Sequence, residues 1–388
     1  MQRRSFLKNT GLSMLSLGIY PILFGAENFS NKKTLILIEL KGGNDGLNTV
    51  IPTTNKHYLN ARPNLAIKTE EALEIGAGLA LHQSLKSLQP SWEKGDLAIV
   101  QGLGYPNPNR SHFRSIDIWD TGSSSDEYLT QGWIQRAYSE DTSAFEFQQI
   151  QGLALGNENL GPLFGHQMNC VVINRLQQFF KQASRVRKIN ENNRNNSSLK
   201  HLLSTQSELV EAANEMKVKL QKNPKFKTRF PNNKLGKNME TAVQLMAAGI
   251  RPAVIKITHG GFDTHSNQKH QHSRLLKQLA DAMFSTHSGL AEIGLSDNVF
   301  QLTYSEFGRR VNENNSRGTD HGTASVHFAL GKMIRGGFHG SYPLLDQLER
   351  GDLVYTTDFR QVYRAILRDW WQSGSNLYSE FDSLKILT

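Results

Sequence analysis

Four short runs of this chain are apolar at nearly every position, and each is followed at once by a polar, glycine-bearing or proline-bearing segment. Lys33 to Leu40 (KTLILIEL) leads into KGGNDGLNT, and Leu97 to Gly102 (LAIVQG) into LGYPNPNR. Ala253 to Thr258 (AVIKIT) leads into HGGFDTHSNQ, and Val299 to Tyr304 (VFQLTY) into SEFGRR. Continuous rather than alternating hydrophobicity marks strands buried on both faces, as in parallel sheets. Lys269 to Leu290 instead carries apolar residues at helical spacing, through Leu275, Leu276, Leu279, Met283 and Phe284. Ser111 stands as an N-cap before a helix starting in SHFRSIDIWDTG. Strand, loop, helix and strand in succession predict an α/β fold, a mostly parallel central sheet flanked by helices. Ligands of such sheets bind beyond the carboxyl ends of the strands. Here those ends carry Asp45, Ser111, Asp263, His265 and Glu306.

Arg175 to Gly236 has a different texture, rich in Lys, Asn and Gln. Leu199, Leu202, Leu203, Leu209, Val210, Ala213, Met216 and Leu220 form one stripe at helical spacing. The stripe predicts an amphipathic helix packed on the sheet or its neighbour, with a substrate-shaping cap as the alternative. NENNRNNSS, from Asn190 to Ser198, reads as a loop. The expected layout is a leader over residues 1–30 and one α/β domain over 31–388, with 175–236 as a helical insertion or cap within it.

The chain has 388 residues, 38% hydrophobic and 20% charged, which suits one large globular domain. Its formal net charge is +9, and removing the leader's Arg3, Arg4 and Lys8 leaves +6. Apart from a cluster around Lys181 to Arg194 the cations are scattered, so they read as a soluble basic surface or as attraction for an anionic substrate. No nucleic-acid-binding motif accompanies them. Cys170 is the single cysteine, which excludes an internal disulfide and a cysteine-based zinc framework. Its setting, NCVVI, predicts a buried strand.

The first residues, MQRRSFLKNTGLSMLSLGIYPILFGAENFS, place a pair of arginines before Ser-Phe-Leu-Lys. The weakly apolar run from Gly11 to Phe24 is interrupted by Gly, Ser and Pro21, and is too short and mixed to span a bilayer stably. Arginine pair and apolar run together predict a twin-arginine export signal with a small-residue cleavage point at Gly25-Ala26. The expectations that follow are the twin-arginine translocation machinery as a partner, a periplasmic or extracellular location, and no stable membrane span after signal removal. Proteins on this route fold before crossing, often around a cofactor.

The chemistry lies in four segments: GGNDGLNT with Asp45, NRSHF with Ser111, GGFDTHSNQ with Asp263 and His265, and SEFGRR…GTDHG with Glu306, Asp320 and His321. Carboxylates and imidazoles are the usual ligands of zinc and similar divalent ions. Two such ions about 4 Å apart clamp a tetrahedral phosphoryl or sulfuryl group. Each segment also has a plainer reading. GGND suits a turn with an Asx cap, and Ser111 suits a helix cap. His82, His259, His270 and His272 read as surface or capping residues, His259 lying beside the site.

The chain from about residue 33 to 375 resembles the bacterial family called domain of unknown function 1501. The matching pieces are LKGGNDGLNTVIP, LHQSLKSLQPSWEKGDLAIVQGLG, NRSHFRSIDIWDTG, GGFDTHSNQ, SEFGRRVNEN, GTDHG and TTDFRQVY. Members of that family often carry a twin-arginine leader, and it is similar in fold to the alkaline phosphatase and sulfatase superfamily. The resemblance implies an alkaline-phosphatase-like three-layer sandwich with a metal site of one or two divalent ions (Zn, Mn, Mg or Ca). In that pattern Asp45 matches the metal aspartate after the first strand. Ser111 matches the nucleophile at a helix start, Asp263 the aspartate of the other metal half, and His321 the late histidine ligand. Glu306 falls where many superfamily members have the Asp of an Asp-His pair.

This chain departs from the pattern in two places. Phe307 follows Glu306 where a His is expected, and His265 comes two residues after Asp263 rather than four, with Asn267 at the later position. Asp320-His321 is an alternative Asp-His pair. Arg110 and Arg309 are candidate binders of substrate oxyanions, and His112 is the candidate general acid. The implied activity is exported, metal-dependent hydrolysis of phosphate or sulfate esters, small or polymeric. Phosphate is favoured because SHFRS lacks the Pro of the formylglycine context C/S-x-P-x-R. A non-catalytic member of the same fold, acting as an exported binding or surface-associated protein, is the alternative. A serine hydrolase fits less well, since there is no G-x-S-x-G elbow.

Overall fold

The apolar runs form strands where their continuity predicts them. The computed structural model describes residues 32–145, 150–156, 159–185, 210–211, 213–221 and 226–388. The expected leader, the loop at Asn190 to Ser198, and Leu199, Leu202, Leu203 and Leu209 lie outside the described residues. A nine-stranded sheet holds β1 (Thr34–Lys41), β2 (Leu97–Gly104), β3 (Gly152–Leu155), β4 (Cys170–Ile173), β5 (Val254–Gly260), β6 (Val299–Tyr304), β7 (Ser325–Leu330), β8 (Gly337–His339) and β9 (Thr357–Asp358). Its order is β8-β2-β7-β6-β1-β5-β3-β4, with β9 also paired to β2. All pairings are parallel except those of β7, which runs against β2 and β6.

Beside the sheet lie α1 (His112–Thr121), α2 (Trp133–Glu140), α3 (Leu176–Ala183), α4 (Lys234–Ala247), α5 (Gln268–Glu292) and α6 (Phe359–Ala365). Successive side chains of a strand point to opposite faces, and β1 shows the consequence. Leu35 and Leu37 pack with Ile118 and Trp119 of α1, Trp133 of α2 and Phe359 of α6. Ile36 and Ile38 pack with Met239 and Val243 of α4 and Leu276 and Leu279 of α5. The sheet is therefore sandwiched between two helical layers, as the α/β reading requires. Ala213 and Met216 are buried on the α4–α5 side, and Leu220 packs against that cluster, so this part of the predicted stripe lies on the core. Cys170 is free and buried, and burial pushes its thiol up to about 12, as a packing residue requires. Among the described residues no helix is long and apolar enough to cross a membrane.

The reversed direction of β7 decides where the chemistry goes. A strand antiparallel to its neighbours begins where they end. The segment preceding β7, with Asp320 and His321, therefore arrives at the same sheet edge as the loops leaving β1, β2, β5 and β6.

Candidate metal centre

Two glycines bring these loops into contact. Gly42 ends the β1 loop's first step at a φ of +118°, where a Cβ would stand 2.3 Å from the backbone nitrogen of Asp263. Only glycine accepts both that conformation and that approach. Gly318 lies against the backbone of His265, with a Cβ position 2.3 Å from its carbonyl carbon. GTDHG is thereby pressed onto DTH.

Three acceptor atoms converge in the space so formed. His265 Nε2 and His321 Nε2 are 2.9 Å apart, and Asp263 Oδ1 lies 3.0 Å from the first and 3.1 Å from the second. The far nitrogen of each ring is committed. His321 Nδ1 donates to the carbonyl of Arg110 at 2.9 Å, and His265 Nδ1 donates to Asp320 Oδ1 at 3.0 Å. A carbonyl or carboxylate oxygen accepts only, so each ring carries its hydrogen on Nδ1, and in the neutral form presents a bare lone pair at Nε2. Two lone pairs and a carboxylate oxygen facing one another repel unless a cation stands among them. Donors at about 2.0–2.1 Å from a tetrahedral zinc lie roughly 3.3 Å apart, close to these separations. The nitrogen and oxygen donor set also suits zinc and similar ions. Asp320 and the His265 carbonyl both accept from the Asn314 amide, at 3.1 and 2.9 Å, which fixes this wall of the site.

His112 approaches the other carboxylate oxygen, its Nε2 lying 3.3 Å from Asp263 Oδ2. Ligand atoms of His112, Asp263 and His321 all lie within 4.8 Å of one another. His112 Nδ1 donates to Glu306 Oε1 at 2.9 Å, an oxygen that also receives the Gly42 N–H at 2.8 Å. Phe307, at the position where a His is expected, supplies packing in place of a ligand. Its ring centroid is 5.0 Å from that of His112 and 4.5 Å from that of His321.

These surroundings push the titrating groups apart. Burial works to raise the Asp263 carboxyl, but Arg309 above all, together with His112, brings it down to about 2. Asp320 is lowered by its hydrogen bonds from His265 and Asn314. His321 is lowered, chiefly by burial, so its lone pair is free at neutral pH. His112 is raised, first by its hydrogen bond to Glu306, so it holds a proton more readily. One histidine is thus suited to ligation and the other to proton donation.

Two sequence expectations are corrected by the geometry. Arg309 does not face a substrate: its side chain is fully buried and its donors are spent inside the protein. Nε serves the Gly43 carbonyl at 2.8 Å and Nη1 the Thr319 carbonyl at 2.8 Å, while Nη2 reaches Asp263 Oδ1 at 2.6 Å and the carbonyls of Gly42 and Phe262. It braces three loops. Asp45 is buried in an ion pair with Arg62, Oδ2 to Nη1 at 2.6 Å, and also accepts from Gln268 and from the Asn48 N–H. Its carboxyl stays low against the cost of burial because of Arg62, and its partners are not members of the histidine–carboxylate cluster.

Ser111 occupies the N-cap position of α1 but makes no capping hydrogen bond, and its side chain is exposed. Arg110 is half-exposed and donates to Asp352 at 3.0 Å. Of the other histidines, His82 caps a turn by accepting the Ser84 N–H at 3.0 Å, and His270 is exposed. His259 and His272 are buried rather than on the surface, bonded to the Leu275 carbonyl and to Asn44 Oδ1. Sequence reading missed Arg62, Asn314 and the packing role of Phe307. Asn314 had a signal in the Asn-rich VNENN run ahead of GTDHG, whereas Arg62 in ARPN had none.

A family model described as "Protein of unknown function (DUF1501)" matches residues 32–363. No curated protein matches the chain. Among solved structures, the PsFucS1 sulfatase from Pseudoalteromonas sp. shares 11% identity with a TM-score of 0.41, covering 91% of this chain and 69% of that one. The C-terminal periplasmic domain of EcEptC from Escherichia coli, in complex with Zn, shares 9% identity with a TM-score of 0.34, covering 78% and 73%. The alkaline phosphatase from the Antarctic bacterium TAB5 shares 9% identity with a TM-score of 0.31, covering 78% and 92%. Likeness this loose transfers no residue role and no substrate.

Proposed function

This chain belongs to the DUF1501 family, and we propose that it is an exported, metal-dependent hydrolase of phosphate or sulfate esters. The observation that carries the reading is the convergence of His265 Nε2, His321 Nε2 and Asp263 Oδ1 with both ring hydrogens directed away. Those three residues would hold a divalent ion, with His112 at its edge. When bound, such an ion supplies a Lewis acid for an ester oxygen. Ser111 is the nucleophile, its hydroxyl uncapped at the positive end of α1: its Oγ gives its proton to solvent and bonds to the phosphorus or sulfur as the bridging ester bond breaks, and water then hydrolyses the seryl ester. His112, oriented by Glu306, gives its proton to the departing alkoxide. Arg110 steadies a non-bridging oxygen from the half-exposed side. Export through the twin-arginine machinery to the periplasm or beyond rests on Arg3 and Arg4. Substituting both with Lys should trap the protein in the cytoplasmic fraction.

The test is a panel of phosphate and sulfate esters with added Zn, Mn, Mg or Ca, comparing wild type with Ser111→Ala. Metal-dependent turnover lost in the variant supports the proposal, and equal turnover removes Ser111 from it. A second reading, a non-catalytic binding protein of the same fold, is favoured by one feature. Arg309 and Arg62 already neutralise Asp263 and Asp45. A folded protein that binds no metal would favour that reading.

A further inference from the structure

A second concavity opens at the same sheet edge, on the far side of the β1 and β5 ends from α1. It has a volume of about 450 Å³ and is walled by Lys41, Lys234, Arg274, Leu235, Leu275 and His259, among others. Lys41 is the last residue of β1, paired in register with Gly260 of β5. Lys234 opens α4, and Arg274 lies in the second turn of α5. Among the described residues no acidic residue lines the cavity and no carboxylate pairs with these three cations. Three like charges around one hollow repel one another and raise the local positive potential, which an anion entering it would relieve. His259 adds no negative charge, and its Nε2 is spent on the Leu275 carbonyl at 3.0 Å.

We propose that this cavity binds a phosphate or sulfate ester group carried on a small carbon skeleton. The volume exceeds what a bare oxyanion fills and lies in the range of small-molecule pockets. Leu235 and Leu275 give the skeleton an apolar wall while the cations hold the charged group. The inference is independent of turnover at the histidine centre.

The test uses the full chain, stripped of metal on chelating resin. A hexose monophosphate and, separately, inorganic phosphate are titrated in by calorimetry at low and high salt. Wild type and His321→Ala should bind the sugar phosphate alike, with affinity falling as salt rises. Lys41→Gln combined with Arg274→Gln should weaken binding at least about tenfold, while Lys41→Arg with Arg274→Lys should retain it. Inorganic phosphate should bind more weakly than the ester. The proposal is overturned if wild type shows no saturable binding, or if the neutralised pair binds as wild type does. It is equally overturned if the charge-keeping pair loses as much as the neutralised one, if His321→Ala abolishes binding, or if inorganic phosphate binds as tightly as the ester.

Discussion

His265 and His321 face each other through their Nε2 atoms across 2.9 Å, each with Nδ1 bound to an oxygen acceptor. Two imidazoles so pinned cannot hydrogen-bond to each other unless one takes on a second proton. Asp263 Oδ1 completes the arrangement with a third lone-pair donor. The divalent ion of the proposed function would relieve the repulsion among these lone pairs.

Removing one ring should abolish that occupant while leaving the fold. His321→Ala is expected to lower affinity for Zn by more than the roughly 10–100-fold that follows loss of an outer partner. Calorimetric titration of metal reads the loss, and melting curves with and without metal should converge for the variant. Retained affinity would mean that the cation is held elsewhere.

Asp45 and Arg62 form a fully buried pair, so losing one partner strands the other's charge. Arg62→Met should destabilise by about 3–5 kcal/mol. Asp45→Ala should also destabilise, without lowering metal content in the molecules that remain folded. The double variant should recover part of the loss. Urea denaturation of the four proteins gives the coupling, and strict additivity would contradict the pairing.

Gly42→Ala introduces a Cβ into the Asp263 backbone at a φ unsuited to any L side chain. A cost of about 2 kcal/mol or more is expected, and metal affinity should fall because Asp263 and the amide that holds Glu306 must both move. A variant with wild-type stability and affinity would show that the two loops do not touch.

Asp120, in the last turn of α1, is buried within reach of Lys256 and Glu39, and accepts from the Tyr304 hydroxyl at 3.2 Å. Burial, first, and then Glu39 push its carboxyl up to about 7, against the pull of Lys256. The folded state thus binds a proton that the unfolded chain releases near pH 4. Between about pH 4 and 7 the native form holds more protons, so this group's contribution to stability falls as pH rises and levels off above 7. Asp120→Asn should remove that decline, gaining on wild type by roughly 3 kcal/mol across the window. Unfolding free energies at pH 4.5 and 8 measure the difference, and parallel curves would refute the shift.

The layered fold was legible in the sequence. Continuous apolar runs over 33–40, 97–102, 253–258 and 299–304 became β1, β2, β5 and β6, and the helical spacing of 269–290 became α5. These are short-range signals, because burial on one face or two dictates residues two to four positions apart. The same logic placed Asp45, Ser111, Asp263, His265 and Glu306 at one edge, since loops leaving parallel strands share an end.

The partner of each polar side chain was decided only in three dimensions. Nothing local says that Asp45 will be claimed by Arg62, that Arg309 will be swallowed by four backbone carbonyls, or that His265 will meet a ring 56 positions onward. Those outcomes depend on the antiparallel entry of β7 and on two glycines thin enough for backbones to touch. Charged side chains then pair with whatever the packing brings within reach, and hydrophobic periodicity holds no record of that choice.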